Sequence, residues 1–213
     1  MTATNVAGMR SEPVPNALVE CLLRLGDDRL VLGHRLSEWC AHGPILEEDI
    51  ALANIALDLV GHASAWLSLA GELEGRGRNE DALAYFREAV EYRNALMVEL
   101  PKGDFGFTIV RQFLFDAYSV LLLDALSRAT HERVAAIAAK CLKEDKYHLR
   151  HSSEWVCDSA TARTRVMRGR NVHSMPCGDL RLNCLTAMRW MMRWCVTALW
   201  WIMARLLRYG ARW

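Results

Sequence analysis

From Arg133 onward the chain repeats at steps of four and three through Val134, Ala138, Cys141, Asp145, His148, Ser152 and Trp155. Residues at that spacing line one side of a helix. The stripe that should face a core therefore carries a carboxylate and an imidazole. Glu144, four residues before His148, lies just beside it. A buried carboxylate next to a buried imidazole is costly unless the two pair or share a metal. Their partners must come from other helices, so this segment constrains the chain to an architecture that packs around it.

The rest of the sequence supplies such helices. The spacing predicts a first helix from about Asn16 to Ala41, with Leu22, Leu25, Leu30, Val31, Leu36 and Trp39 apolar and with His34 and Glu38 four apart. Gly43-Pro44 ends it. A second helix runs from Glu47 to Glu74, its three leading acids suited to a positive N-terminal end. Ile55, Asp58, His62, Ala65 and Leu69 form its stripe. Gly75-Arg-Gly-Arg-Asn79 then makes an exposed turn. A third, more polar helix is predicted from Glu80 to Leu100, closed by Pro101-Lys-Gly-Asp104. A fourth spans about Thr108 to Arg128, with Asp116 as its internal acid among Ile109, Phe113, Val120 and Leu123. The fifth begins at Glu132. Period-two alternation is absent, and the turns are short enough for antiparallel neighbours. Residues 16–156 are read as an all-α, up-down helical bundle, with residues 1–15 a loose lead-in.

Composition divides the 213 residues unevenly. Residues 1–156 carry 16 Lys and Arg against 23 Asp and Glu, whereas residues 157–213 carry 10 Arg, two Asp and neither Lys nor Glu. The tail also holds five of the eight Trp, six of the nine Met and four of the seven Cys. Overall charge is close to zero, which gives no reason to expect nucleic acid. An odd Cys count without a CxxC pair argues against a disulfide framework or a zinc ribbon, and a reduced, cytoplasmic setting is expected. The polar N-terminus is not expected to serve as a secretory signal. The longest apolar run, Trp194 to Ala204, is too short to span a bilayer.

Four predicted helices thus bring ionisable groups to a core stripe: Glu38 with His34, Asp58 with His62, Asp116, and Glu144 and Asp145 with His148. Ferritin-like di-metal bundles distribute a lone carboxylate on two helices and a Glu-x-x-His pair on the other two. The match is imperfect, because Asp58–His62 and Glu144–His148 are at i,i+4 and only Asp145–His148 has the i,i+3 spacing. Taken singly, each pair reads first as a satisfied core hydrogen bond. Taken together they allow a metal site, with Asp58, His62, Asp116, Glu144 and His148 as ligands.

Arg24-Leu-Gly-Asp27, Glu38-Trp-Cys40, Leu52 to Leu59, Arg111-Gln112, Asp116-Ala117, Lys143-Glu144 and Tyr147-His-Leu-Arg150 are spread over the first, second, fourth and fifth predicted helices. In these segments the chain resembles the C subunits of ring-1,2-phenylacetyl-CoA epoxidases, the multicomponent bacterial phenylacetyl-CoA oxygenases. The resemblance covers about residues 20–156. It implies a ferritin-like, structural subunit that pairs with a homologous catalytic subunit. The di-iron centre then lies in that partner, and a reductase subunit brings electrons from NADPH. On this reading Glu38, Asp58, His62, Asp116, Glu144, Asp145 and His148 are a vestigial constellation or a buried polar network, and the chain binds no cofactor itself. The alternatives are that the chain is itself a di-iron oxygenase, or a membrane-surface protein.

The resemblance stops after Trp155. Back-translating Cys157 to Thr164 with GC-rich codons and reading from each third base permits Arg-Leu-Gly-Asp-Gly-Thr-Asp, an ordinary polar turn. The same shift over Leu180 to Thr186 permits Thr-Ala-Glu-Leu-Phe-Asp. A tail that loses Glu and Lys while gaining Arg, Trp, Cys and Met suits GC-rich DNA read out of frame, and residues 157–213 are expected to be such a frameshifted tail. The competing expectation is a basic amphipathic helix over Leu185 to Tyr209, lying on a membrane surface.

Overall fold

The computed structural model describes the backbone of residues 17–167 and the side chains of residues 17–157. The lead-in over 1–15, the bulk of the 157–213 tail and the proposed helix over Leu185 to Tyr209 lie outside the described residues. Helix α1 (Ala17–Ser37) and helix α2 (Leu46–Glu74) form the first hairpin. They approach closely because Gly26 and Gly33 on α1 leave room for the side chains of Leu67 and Val60 on α2. Helix α2 begins with Glu47, Glu48 and Asp49 and ends at Gly75, whose φ of 69° is a left-handed cap that glycine adopts freely. By length and composition α2 could cross a membrane. Here its Leu52, Ile55, Leu59, Ala63 and Trp66 are packed in the core instead.

Helix α1 stops at Ser37, short of the expected Ala41. Trp39 turns inward, where its indole N–H donates to Thr108 Oγ1 at 3.0 Å and its ring meets Phe105 edge-on at 5.7 Å. Ala41 takes a positive φ of 63°. The backbone N–H groups of Ala41 and Gly43 then donate to the Asp49 carboxylate. The tertiary demand of Trp39 thus overrides helix continuation.

The predicted third helix over 80–100 is not continuous. A short helix α3 (Glu80–Tyr85), a 3₁₀ turn (Ala89–Glu91) and a single-turn helix α4 (Leu96–Glu99) replace it. The reason lies on α1. Asp27 is fully buried and pairs with Arg87, and it accepts the backbone N–H of Arg93 at 2.8 Å. Asp28 accepts the backbone N–H of Ala95 at 2.6 Å. These donors would otherwise serve a helical ladder, and α1 carboxylates claim them. Farther along, Arg35 donates to the Glu99 carbonyl and Lys102 to the Glu38 carbonyl. The segment from Gly75 to Asp104 therefore climbs along α1 from Asp27 to Glu38.

Asp104 caps helix α5 (Phe105–Leu126) by accepting the Phe107 N–H at 2.6 Å. Helix α6 (Glu132–Met167) follows and continues beyond the composition break at 156. Its contacts with α2 descend in register: Glu72 meets Arg133, His62 meets Glu144, Asp58 meets His148, and Glu48 meets His151. So α2 and α6 are antiparallel. Thr108 and Ser119 of α5 meet Trp39 and Arg29 at the α1 side, which makes that pair antiparallel too. Two hairpins joined by one crossover that runs the bundle's length is the ferritin-like arrangement. Among the described residues there is no strand.

The core has two apolar halves. One gathers Leu22, Leu25, Trp66, Leu67, Leu123 and Cys141, and the other Leu32, Leu36, Leu52, Leu59, Ile109 and Phe115. Each fully buried leucine contributes about 1.5–3 kcal/mol. Cys141, only 1% exposed, has its thiol pushed up to about 12 by burial. Between the halves lies a layer of polar side chains.

Candidate functional site

Helical spacing builds this layer from four elements. Helix α2 presents Asp58 and His62, one turn apart; α6 presents Glu144, Asp145 and His148; α5 presents Gln112, Asp116 and Ser119; α1 presents Arg29. His62, Asp116, Asp145, His148 and Arg29 are all at most 2% exposed. The acids at the two ends are more open, with the side chains of Glu144 and Asp58 35% and 42% exposed.

The ionisable groups form a chain across the bundle. His62 Nε2 hydrogen-bonds Glu144, and His148 Nε2 hydrogen-bonds Asp58 Oδ2 at 3.1 Å. The Nδ1 atoms of both imidazoles lie 3.6 Å from the same oxygen, Asp145 Oδ1. None of these three inner atoms has a hydrogen-bond partner. The other Asp145 oxygen accepts from Ser119 Oγ, which in turn accepts from Arg29 Nη2 at 2.7 Å. Arg29 Nη2 also lies 3.8 Å from Asp145 Oδ2, and its guanidinium sits 5.9 Å from the centre of the Phe115 ring.

Asp116 is tied off separately, accepting from Gln112 Nε2 at 2.7 Å and Ser152 Oγ at 2.8 Å. Burial raises its carboxyl well above the ordinary value. Burial pushes the His62 imidazole the other way, toward the neutral form, with Asp145 and Glu144 opposing the shift.

Asp58, His62, Glu144, Asp145 and His148 are thus brought together, with Asp116 one layer neighbour away. Glu38 is not. It falls in the turn after α1, is exposed, and pairs with Arg35 at 2.7 Å. His34 is exposed as well. Both expectations fail because α1 ends early, and because the stripe that enters the core is Leu22, Leu25, Arg29, Leu32 and Leu36. Sequence reasoning missed Arg29, although its place in that 3–4 spacing is legible. It also missed Glu48–His151, a 2.9 Å rung that extends the contact between α2 and α6.

A metal fits this arrangement poorly. Asp116 is satisfied by neutral donors, and the position α1 would fill with an acid holds a guanidinium. Among the described residues no three His, Cys, Asp or Glu groups are placed to hold a metal ion.

A family model described as phenylacetic acid catabolic protein matches residues 1–175. The chain belongs to that family. Within the phenylacetic acid catabolic proteins it is similar to the C subunit of the 1,2-phenylacetyl-CoA epoxidase of Escherichia coli (strain K12). The two are 50% identical over 141 residues, covering 66% of this chain and 56% of that relative. The chain therefore spans little more than half the length of the relative it matches. Family membership agrees with the ferritin-like bundle, and the segments that carried the resemblance map onto α1, α2, α5 and α6, except Glu38 to Cys40 in the turn after α1.

Proposed function

We propose that the chain acts as a structural, non-catalytic subunit of a multicomponent phenylacetyl-CoA 1,2-epoxidase, scaffolding a homologous di-iron subunit in aerobic phenylacetate breakdown. The observation that carries this reading is the 50% identity to a protein named as the C subunit of that enzyme. The polar layer supports the non-catalytic part, since its buried Asp145 is neutralised by the chain's own Arg29. On this reading iron belongs to the partner, NADPH serves the complex through a reductase subunit, and the assembly works in the cytoplasm. The network from Glu144 to Asp58 fixes the register of α2 against α6, a role that buried polar groups hold in some proteins.

The tail over 157–213 is read as out of frame, with the change near the codons for Glu154 to Asp158. Resequencing the gene across those codons tests that. The functional reading is tested by co-expression with the homologous catalytic subunit, followed by pull-down, iron analysis and an epoxidation assay. The expected result is iron in the partner, none in the chain alone, and epoxidation only with both, most strongly when the frame is restored. Iron and turnover in the chain alone would favour the di-iron oxygenase alternative.

A further inference from the structure

The crossover does not seal against α1 along its whole path. Asp27 and Asp28 hold the 87–95 stretch out of a regular helix. A cavity of about 400 Å³ remains between α1 and the segment from Ala84 to Glu99. Leu30, Val31 and His34 line it from α1, so an imidazole that stays outside the polar layer finds its place here. Ala84 and Ala89 are too short to fill the opposite side, and Tyr85 and Tyr92 add aromatic rings. Tyr92 donates its hydroxyl proton to the Ala84 carbonyl, which fixes its ring. Size and mixture suit a small-molecule pocket, where apolar walls carry a few polar groups.

Glu99 sets the charge of this cavity. Its carboxylate accepts from the neutral Asn94 amide at 2.9 Å. Among the described residues no Lys or Arg lines the cavity. Two neighbouring guanidiniums already have counter-charges. Arg35 donates to the Glu99 carbonyl at 3.0 Å but pairs with Glu38, and Arg87, 4.3 Å from the centre of the Tyr92 ring, pairs with Asp27. An acid with a neutral partner beside tyrosine rings favours a positive ligand, through a charge-assisted hydrogen bond and through the ring faces.

We propose that the cavity between α1 and the crossover binds a small organic cation, a primary ammonium on an apolar or aromatic body. Glu99 takes the ammonium, and Leu30, Tyr85 and Tyr92 take the body. The inference concerns the chain by itself and holds whether or not the chain serves an epoxidase.

The test titrates the full chain with three probes of one shape and different charge: benzylamine, benzyl alcohol and benzoate. Saturation-transfer NMR reads the binding of each. Benzylamine is expected to saturate and to bind wild type at least about tenfold more tightly than the other two. Glu99→Gln should abolish that preference. Tyr85→Ala should weaken benzylamine by about threefold. Ala89→Phe, which fills the cavity, should remove the binding of all three. Glu99, Tyr85 and Ala89 are exposed, so these variants should keep the melting temperature of wild type, as circular dichroism would show. Benzyl alcohol or benzoate binding wild type as tightly as benzylamine would overturn the proposal, as would the absence of saturation by benzylamine. Neither result depends on how any variant folds. Benzylamine binding that is unchanged in Glu99→Gln or in Ala89→Phe would overturn it too. None of these readings involves a partner subunit, so they stand apart from the pull-down and epoxidation assay.

Discussion

Asp116 and His62 lie in one buried layer, yet burial moves them in opposite directions because it disfavours whichever form is charged. Asp116 binds its proton more tightly folded than unfolded. Stability is therefore lost as pH rises from the ordinary value of 3.8 through the raised folded value. Asp116→Asn removes that loss, and urea melts at about pH 5 and about pH 8 should show a smaller decline than in wild type. For His62 the folded chain favours the neutral ring, so stability falls as pH drops below 6.5. His62→Gln should flatten that acid limb in the same melts. The acids and histidines of this layer are legible in the sequence because 3–4 spacing marks a buried face. Arg29 obeys the same spacing, but a long cation reads naturally as a solvent-facing residue, and nothing local reveals that Ser119 and Asp145 wait for it across the bundle.

Helix ends and breaks depend on partners distant in sequence, and there periodicity says least. The stretch over 80–100 has enough helix-forming residues to be predicted as one helix. It is broken because Asp27 and Asp28, 60 to 67 positions earlier, capture Arg87 and the backbone of Arg93 and Ala95. Asp27→Ala leaves a buried guanidinium unpaired and should cost about 3–5 kcal/mol. The double variant Asp27→Ala/Arg87→Ala should lose less than the sum of the two single losses, as denaturant titration of the full cycle would show. Gly71 is a second constraint at this scale. A Cβ there would collide with the Arg78 carbonyl, where the chain turns back on itself. Gly71→Ala should cost about 1–3 kcal/mol, seen as a lowered denaturation midpoint at unchanged slope.

At the level of the whole bundle, the all-α class and four long helices follow from periodicity alone, whereas the pairing of those helices does not. Parallel placement of α2 and α5 rests on a crossover pinned by side chains, and no periodicity encodes it. Cys141 offers a way to watch this assembly come apart. Its thiol is sealed in one apolar half and pushed up to about 12 by burial, so it stays protonated and unreactive near neutral pH. A thiol reagent can therefore reach it only after the helices separate, while exposed Cys40 is modified at once. Mass-resolved labelling over time should yield a slow phase at Cys141 whose rate follows the opening equilibrium of the bundle, accelerated by Asp27→Ala and slowed by any partner that clamps the helices. The chain thus carries an internal clock for its own lifetime in the folded state.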